Sequence, residues 1–113
     1  QVCAIEPEES RVLAGHPAGS HKIQGIGANF VPEVYQAELV DQVLSVASEE
    51  AQKFANVLAK EFGLLVGVSS GANVQAATTL AQHLSKEANI VTVLPDTGER
   101  YLSTGLFRGQ THD

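Results

Sequence analysis

The sequence contains few of the residues on which several classes of site depend. Among its 113 residues there is one cysteine and no tryptophan or methionine, and aromatic residues make up only 5%. A single thiol, Cys3, excludes an internal disulfide and a thiolate-rich metal site, which fits a reducing compartment, and we expect a cytoplasmic protein. Cys3 lies in an apolar stretch with no adjoining cation, so we expect an inert core thiol.

Positive charge is also scarce. The chain has 7 Lys and Arg against 13 Asp and Glu, a net charge of −6. No basic stripe could neutralise a phosphate backbone, so nucleic acid is not an expected partner. The longest apolar runs, at 63–68 and 90–94, fall far short of the roughly 20 residues that span a bilayer, and no membrane contact is expected. A hydrophobic fraction of 43% instead indicates a globular domain or part of one.

The apolar stretches predict an α/β fold with a mainly parallel sheet and flanking helices. Two of them are continuous runs, as is typical of strands covered on both faces. Strands alternate with helical patterns, which favours right-handed crossovers. The predicted strands are Val2–Ile5, ended by Pro7, then Val43–Ala47, Leu64–Val68 and Ile90–Leu94.

Two longer helices are predicted between these strands. The first begins at Glu49 with Ser48 as its N-cap and ends at Gly63. Its inner face comprises Ala51, Phe54, Ala55, Leu58 and Phe62. The second covers Ala72–Lys86, with Ala72, Ala76, Ala77, Leu80 and Leu84 on one stripe. Shorter helices are expected after Pro32 and from Glu99.

The segment from Pro7 to Ala28 is rich in glycine and has little apolar periodicity. Compact domains rarely contain so long an irregular stretch without a use for it, so we interpret it as a functional loop. Its Gly25-Ile26-Gly27-Ala28 sequence lacks the third glycine, the preceding strand and the helix of a dinucleotide-binding motif. The glycines instead permit close approach of the backbone to a ligand, or form a simple turn.

The segment Gly67-Val68-Ser69-Ser70-Gly71 follows a predicted strand, where open α/β sheets bind ligands. It also fits the nucleophile elbow of α/β-hydrolases, but the match is weak, because the required histidine would be His112 near the chain end. A plain helix cap is the alternative. Asp96 follows another predicted strand and should lie at the same sheet edge. The histidines His16, His21, His83 and His112 lack metal-ligand spacing, so solvated or capping roles are expected and no metal site is predicted.

Three blocks taken together resemble the cysteine synthase (O-acetylserine sulfhydrylase) family. They are His21–Ala28, Gly63–Ala72 and Pro95–Thr104, in family order and at family-like spacing. The resemblance implies part of the large domain of a fold-type II pyridoxal 5'-phosphate enzyme. Such enzymes replace the acetate of O-acetylserine with sulfide to give L-cysteine.

The resemblance also implies roles for individual residues. Ser69 would hydrogen-bond the pyridine nitrogen of the cofactor. Gly25, Gly27 and Ala28 would bind the substrate. Asn29 stands where the family usually has glycine. The lysine that forms the Schiff base is expected upstream of Gln1, so no catalytic residue is assigned within this chain.

Residues 1–113 are therefore expected to be a C-terminal segment of the large domain, inactive without the N-terminal part of the same enzyme. By the same resemblance a homodimer is expected, and the C-terminus of serine acetyltransferase is a possible partner. Two alternatives stay open. One is the related cystathionine β-synthase, and the other is a non-catalytic binding module on the same fold.

Overall fold

The computed structural model describes residues 1–97. Its elements, in chain order, are strand β1 (Cys3–Pro7), a 3-10 turn (Ala37–Leu39), strand β2 (Gln42–Val46), helix α1 (Ser48–Phe62) and helix α2 (Val68–Ala81). The α/β class with a parallel sheet and flanking helices is confirmed. In the part of the chain that the structure describes, no helix has the length and hydropathy needed to cross a membrane.

Strands β1 and β2 form a parallel pair, in register from Cys3 opposite Gln42 to Pro7 opposite Val46. Pro7 is the last residue of β1 and has no N–H to donate to the ladder. The following residue continues the pattern, since the Glu8 N–H donates to the Val46 carbonyl at 2.8 Å. The strand predicted at Val2–Ile5 thus extends two residues further. Val46 is 2% exposed and anchors the sheet to the core.

Helix α1 buries the face formed by Ala51, Ala55 and Leu58, as its apolar spacing predicts. The prediction for Phe62 is wrong, because its side chain is 66% exposed at the last position of the helix. Gly63 ends the helix with φ 67°, as predicted, and the Leu64 N–H donates to the Leu58 carbonyl at 3.0 Å.

The cap of α1 differs from the prediction. Ala47 occupies the N-cap position, and no side chain caps the helix from there. Ser48 is already helical, and its own N–H and hydroxyl both donate to the carboxylate of Glu9. A carboxylate from the segment after β1, 39 residues earlier in the chain, thus replaces the local serine cap, at the helix end where the dipole favours negative charge.

Helix α2 begins four residues earlier than predicted and ends at Ala81 rather than Lys86. Gly67 is its N-cap, so Ser69 and Ser70 lie in the first turn instead of breaking the chain before it. Ala72 and Ala76 are buried, as predicted, whereas Leu84 is 44% exposed beyond the helix end. Serine is compatible with a first helical turn, which is why the early start was missed.

The strands predicted at Leu64–Val68 and Ile90–Leu94 are wrong for the described chain. Val66 forms only an isolated antiparallel bridge with Thr97, and residues 90–94 have no strand assignment. Strand formation needs a neighbouring backbone to pair with, and within residues 1–97 the sheet contains only β1 and β2. After Pro32 the structure has a 3-10 turn in place of a short helix. The helix predicted from Glu99 lies outside the described residues.

Candidate functional site

The two glycines singled out in the irregular segment adopt backbone conformations that favour glycine. Gly25 has φ 96° and Gly27 has φ 64°. A side chain at Gly27 would also collide with its surroundings, since a Cβ there would lie 2.5 Å from His21 Nε2 and 2.6 Å from Pro7 Cγ. We call residues 25–28 the glycine loop.

His21 contacts the glycine loop through its ring. Its Nε2 lies 2.8 Å from the Gly27 carbonyl oxygen, and its Nδ1 accepts the Ile23 N–H at 3.1 Å. Ile23 is fully buried in the core cluster with Val46 and Ala51. The expectation of a solvated or capping histidine is therefore wrong for His21, because its ring joins two backbone segments.

A second polar contact lies at the other end of the glycine loop. The Ser10 hydroxyl donates to Asn29 Oδ1 at 2.6 Å and accepts the Gly19 N–H at 3.2 Å. Ser10 is 1% exposed. Among the described residues Asn29 is the one non-glycine residue with positive φ, at 66°. Asparagine tolerates this region, so the residue at a family glycine position keeps a glycine-like backbone.

Two carboxylates hold the rest of the irregular segment. Glu6, only 2% exposed, accepts the N–H groups of Leu13 and Ala14 at 2.8 and 3.1 Å. Glu9 accepts the Ser48 N–H at 2.9 Å. Burial acts to raise the pKa of Glu9, but its hydrogen bonds with Ser48 and with its own backbone N–H lower that pKa overall.

The glycine loop borders a cavity of about 390 Å³. All three residues predicted to bind substrate line it, and so do three of the polar residues that form contacts in this region. The lining includes Gly25, Gly27, Ala28, Glu6, Ser10 and Asn29. A cavity of this size, with backbone and a few polar groups in its wall, is suited to a small polar ligand.

Ser69 lies close to Gly25. It is 2% exposed in the first turn of α2 and does not line the cavity. A Cβ atom built on Gly25 would lie 3.8 Å from its Oγ, so the glycine loop and the start of α2 are in direct proximity. The fold thus brings the glycine loop next to the Ser69 motif, although the two are more than forty residues apart in the sequence.

The Asp96 segment also reaches the start of α2. Its carbonyl oxygen accepts the Gly67 N–H at 3.2 Å and the Ser70 hydroxyl at 3.4 Å. The Ser69 and Asp96 segments therefore lie next to each other, as expected, although the strands predicted before them at 64–68 and 90–94 are not formed. Ser69 has helical backbone rather than the strained turn of a nucleophile elbow, so the geometry does not favour the hydrolase interpretation. His112 lies outside the described residues.

Sequence reasoning missed the residues that hold the loop in place, namely Glu6, Glu9, Ser10 and the ring of His21. Glu6 offered a signal, because a carboxylate directly after an apolar strand and before a long irregular segment can accept free backbone N–H groups. Glu9 offered none, since its partner Ser48 is 39 residues away in the sequence.

The sequence of this chain is similar to a known protein family and to several known proteins. The sequence model of the family described as "Pyridoxal-phosphate dependent enzyme" matches residues 1–96. A cysteine synthase of Staphylococcus aureus is 47% identical over 107 residues, which are 95% of this chain and 34% of that protein.

Two solved structures are also similar. Cysteine synthase from Entamoeba histolytica has a TM-score of 0.90 and 42% identity, over 96% of this chain and 32% of its own. O-acetylserine dependent cystathionine beta-synthase from Helicobacter pylori has a TM-score of 0.87 and 39% identity, over 95% of this chain and 35% of its own. The chain therefore spans about a third of the length of the relatives it matches.

Proposed function

The chain belongs to the pyridoxal-phosphate dependent enzyme family, and on this premise we propose that it is a segment of a cysteine synthase. The complete enzyme would exchange the acetate of O-acetylserine for sulfide, releasing acetate and forming L-cysteine. The proximity of Gly25 to Ser69, together with the position of Gly25 in the wall of the cavity, is the observation that carries the proposal.

The side chains around Ser69 are compatible in their chemistry with the proposed contact to a pyridine nitrogen. The first turn of α2, residues 68–71, contains hydroxyl side chains and no acidic residue. Gly25 carries no side chain that would occupy the space beside the Ser69 hydroxyl. When bound, pyridoxal phosphate supplies an electron sink. A hydroxyl at its ring nitrogen, unlike a carboxylate, would not hold that nitrogen protonated, which limits the strength of the sink.

Gly25, Gly27 and Ala28 would contact the amino-acid substrate. Glycine lets the backbone approach a ligand closely, so amide groups rather than side chains would make these contacts. Their shared position in the cavity wall supports this role. Ser10 and His21 each hydrogen-bond this region, and Glu6 accepts two backbone N–H groups of it, so the wall would lose little freedom on binding.

We place these residues in the C-terminal part of the large domain, with the Schiff-base lysine elsewhere in the complete protein. The chain spans about a third of the length of the relatives it matches, which supports only that it corresponds to one part of such an enzyme. A homodimeric cytoplasmic enzyme, with the C-terminus of serine acetyltransferase as a partner, is the corresponding proposal for the whole protein. None of the four lysines of this chain is proposed for the catalytic role, because their sequence contexts do not match the family's lysine motif: Lys22, Lys53, Lys60 and Lys86.

The proposal is tested with the complete protein. We expect cysteine formation from O-acetylserine and sulfide, and we expect Ser69→Ala to lower kcat and shift the visible absorption of the bound cofactor. Ser45→Ala, at an exposed position of β2, is the matched control and should change neither. Unchanged kcat and absorption in Ser69→Ala would remove Ser69 from the cofactor site.

Two further measurements separate the alternatives. Cystathionine formation from serine or O-acetylserine and homocysteine, at a rate above cysteine formation, would favour a cystathionine β-synthase. The similarity to the Helicobacter pylori enzyme is the reason to test it. Borohydride reduction followed by peptide mapping should place the cofactor on a lysine outside residues 1–113. Absence of any reduced adduct would favour a non-catalytic binding module.

A further inference from the structure

We infer that His21 is a positioning residue, which fixes the orientation of the peptide bond between Gly27 and Ala28 in the wall of the substrate cavity. The inference rests on the proposed function, since it assigns to the glycine loop the contacts proposed above. It concerns a residue that does not itself line the cavity. His21 would act on the substrate only through the loop backbone.

The two ring contacts define one tautomer of His21. The Ile23 backbone N–H can only donate, so Nδ1 must accept and carries no proton. The Gly27 carbonyl oxygen can only accept, so Nε2 must carry the proton and donate over the 2.8 Å separation. Both contacts are satisfied together only by the neutral ring with its proton on Nε2.

The ring is attached to the rigid part of the molecule. Ile23, whose N–H contacts Nδ1, is fully buried against the core. The intervening Lys22 donates its N–H to Ser48 Oγ at 2.8 Å, which ties the same stretch to the start of α1. His21 therefore connects the glycine loop to a stretch of chain that is anchored in the core.

Fixing one carbonyl also fixes the next amide. The peptide unit is planar and trans, so the Gly27 C=O and the Ala28 N–H point in opposite directions. With the carbonyl directed at His21, the Ala28 N–H is directed away from it. Gly27 and Ala28 both line the cavity, so this N–H is suited to an acceptor oxygen of the substrate.

The packing around Gly27 supports the same role. A Cβ at this position would lie 2.5 Å from His21 Nε2 and 2.8 Å from Pro7 Cδ, so ring, proline and loop backbone are in close contact. Rotation of the peptide unit would break the contact with Nε2. The orientation is thus built into the protein before a ligand arrives, which is what positioning requires.

Two substitutions of His21 separate its two contacts in the complete enzyme. Asparagine places its oxygen near the Nδ1 position and keeps the acceptor for Ile23, but it does not reach Gly27. Glutamine places its NH₂ group near the Nε2 position and keeps the donor for Gly27. We expect His21→Asn to raise KM for O-acetylserine about tenfold, as loss of one hydrogen bond implies.

His21→Gln should restore KM to within about twofold of the wild-type value, because the donor to Gly27 is kept. His83→Asn, at an exposed histidine beyond α2, is the matched control and should leave KM and kcat unchanged. A wild-type KM in His21→Asn, or equal impairment in both variants, would overturn the positioning role.

A nuclear magnetic resonance measurement tests the geometry without any assay of activity. The ¹⁵N shifts of the His21 ring should show an unprotonated Nδ1 and a protonated Nε2 near neutral pH. The opposite tautomer, or a ring with both nitrogens protonated, would overturn the inference. A wild-type protein inactive towards O-acetylserine would instead overturn the proposed function, whatever the tautomer, so the two failures are distinguishable.

Discussion

The Ser10 hydroxyl lies 2.6 Å from Asn29 Oδ1 and joins the start of the irregular segment to the end of the glycine loop. The same hydroxyl accepts the Gly19 N–H, so three parts of the segment meet at one buried side chain. Asn29 combines this contact with a left-handed backbone at φ 66°. Asn29 thus provides both a hydrogen-bond acceptor for Ser10 and a residue that tolerates positive φ, and different substitutions remove one or both of these properties.

Substitution of Asn29 should distinguish backbone strain from the lost hydrogen bond. Asn29→Gly keeps the positive φ without strain and loses the Ser10 contact, at a cost of about 0.5–1.5 kcal/mol in the free energy of unfolding. Asn29→Ala loses the contact and adds about 1 kcal/mol of backbone strain. Urea unfolding of the complete protein measures both. Equal stability of the two variants would show that the strain is absent.

A double-mutant cycle checks the pair itself. Ser10→Ala alone removes the contacts to both Asn29 and Gly19, and so should cost more than Asn29→Gly. The double variant should then lose less than the sum, with a coupling energy of about 0.5–1 kcal/mol. Additive losses would mean that Ser10 and Asn29 do not interact in solution.

The carboxylate of Glu9 at the start of α1 should make stability depend on pH. Its folded-state pKa is lowered, so the stabilisation is present above the unfolded pKa, near 4.5, and is lost as pH falls through the lower folded value. Glu9→Gln does not titrate. We expect the wild type to exceed this variant by about 0.5–1 kcal/mol at neutral pH, a modest figure because the carboxylate is largely exposed.

This advantage should shrink steadily as the pH is lowered below 4.5. Glu8→Gln makes the same change of charge at the exposed neighbouring residue and is the control, with no such pH-dependent difference expected. Chemical unfolding at a series of pH values measures each curve. A constant difference between wild type and Glu9→Gln down to acidic pH would contradict the prediction.

The crossing of α1 and α2 depends on Gly71. A Cβ at this position would lie 2.8 Å from the Ala55 nitrogen and closer still to the Ala51 carbonyl oxygen. Both neighbours are backbone and cannot move aside without shifting α1. Gly71→Ala should therefore destabilise the protein by about 1–3 kcal/mol, although alanine is the better helix former.

Gly63→Ala is the comparison for Gly71→Ala. Its Cβ would meet nothing within 4 Å, so only the cost of φ 67° remains, about 1 kcal/mol. The midpoint of thermal unfolding of the complete protein measures both changes. A Gly71→Ala variant as stable as wild type would mean that the two helices are less closely packed than the structure indicates.

Sequence reasoning predicted the parts of the fold that local patterns determine. The buried face of α1 follows from apolar residues at helical spacing, and Gly63 marks the helix end through its own φ. The runs at 64–68 and 90–94 were mistaken for strands because an apolar run does not identify the strand it would pair with. A β-strand forms only where a second strand is available to hydrogen-bond with it, and the apolar run alone does not show whether one is.

The sequence identified candidate site residues, but it did not identify the side chains that hold the glycine loop in place. The motifs drew attention to Gly25, Gly27 and Ser69, and the family resemblance implied their roles, which remain predictions. Their proximity depends on packing between segments more than forty residues apart. The side chains that hold the loop form bonds such as Glu9 to Ser48, which span 39 residues. No local pattern specifies contacts of that kind, because they exist only once the core has formed.

The position of Gly25, beside Ser69 and in the wall of the cavity, can also be tested by substitution. Gly25 has φ 96°, and its Cβ would lie 3.8 Å from Ser69 Oγ, an ordinary contact distance. Alanine there adds backbone strain and a methyl group where cofactor and substrate are proposed to meet. We expect Gly25→Ala to lower kcat/KM of the complete enzyme by about tenfold or more, while costing about 1–3 kcal/mol of stability.

Gly15→Ala provides the matched control for this strain. Gly15 has a similar φ of 91°, is exposed, and has nothing within 4 Å of the position of a Cβ. It should lose similar stability yet keep wild-type kcat/KM. If both variants lose activity in proportion to stability, the effect at Gly25 is strain alone. Loss confined to Gly25→Ala would mean that the methyl group occupies space the reaction needs, as expected if the glycine loop and Ser69 form one site.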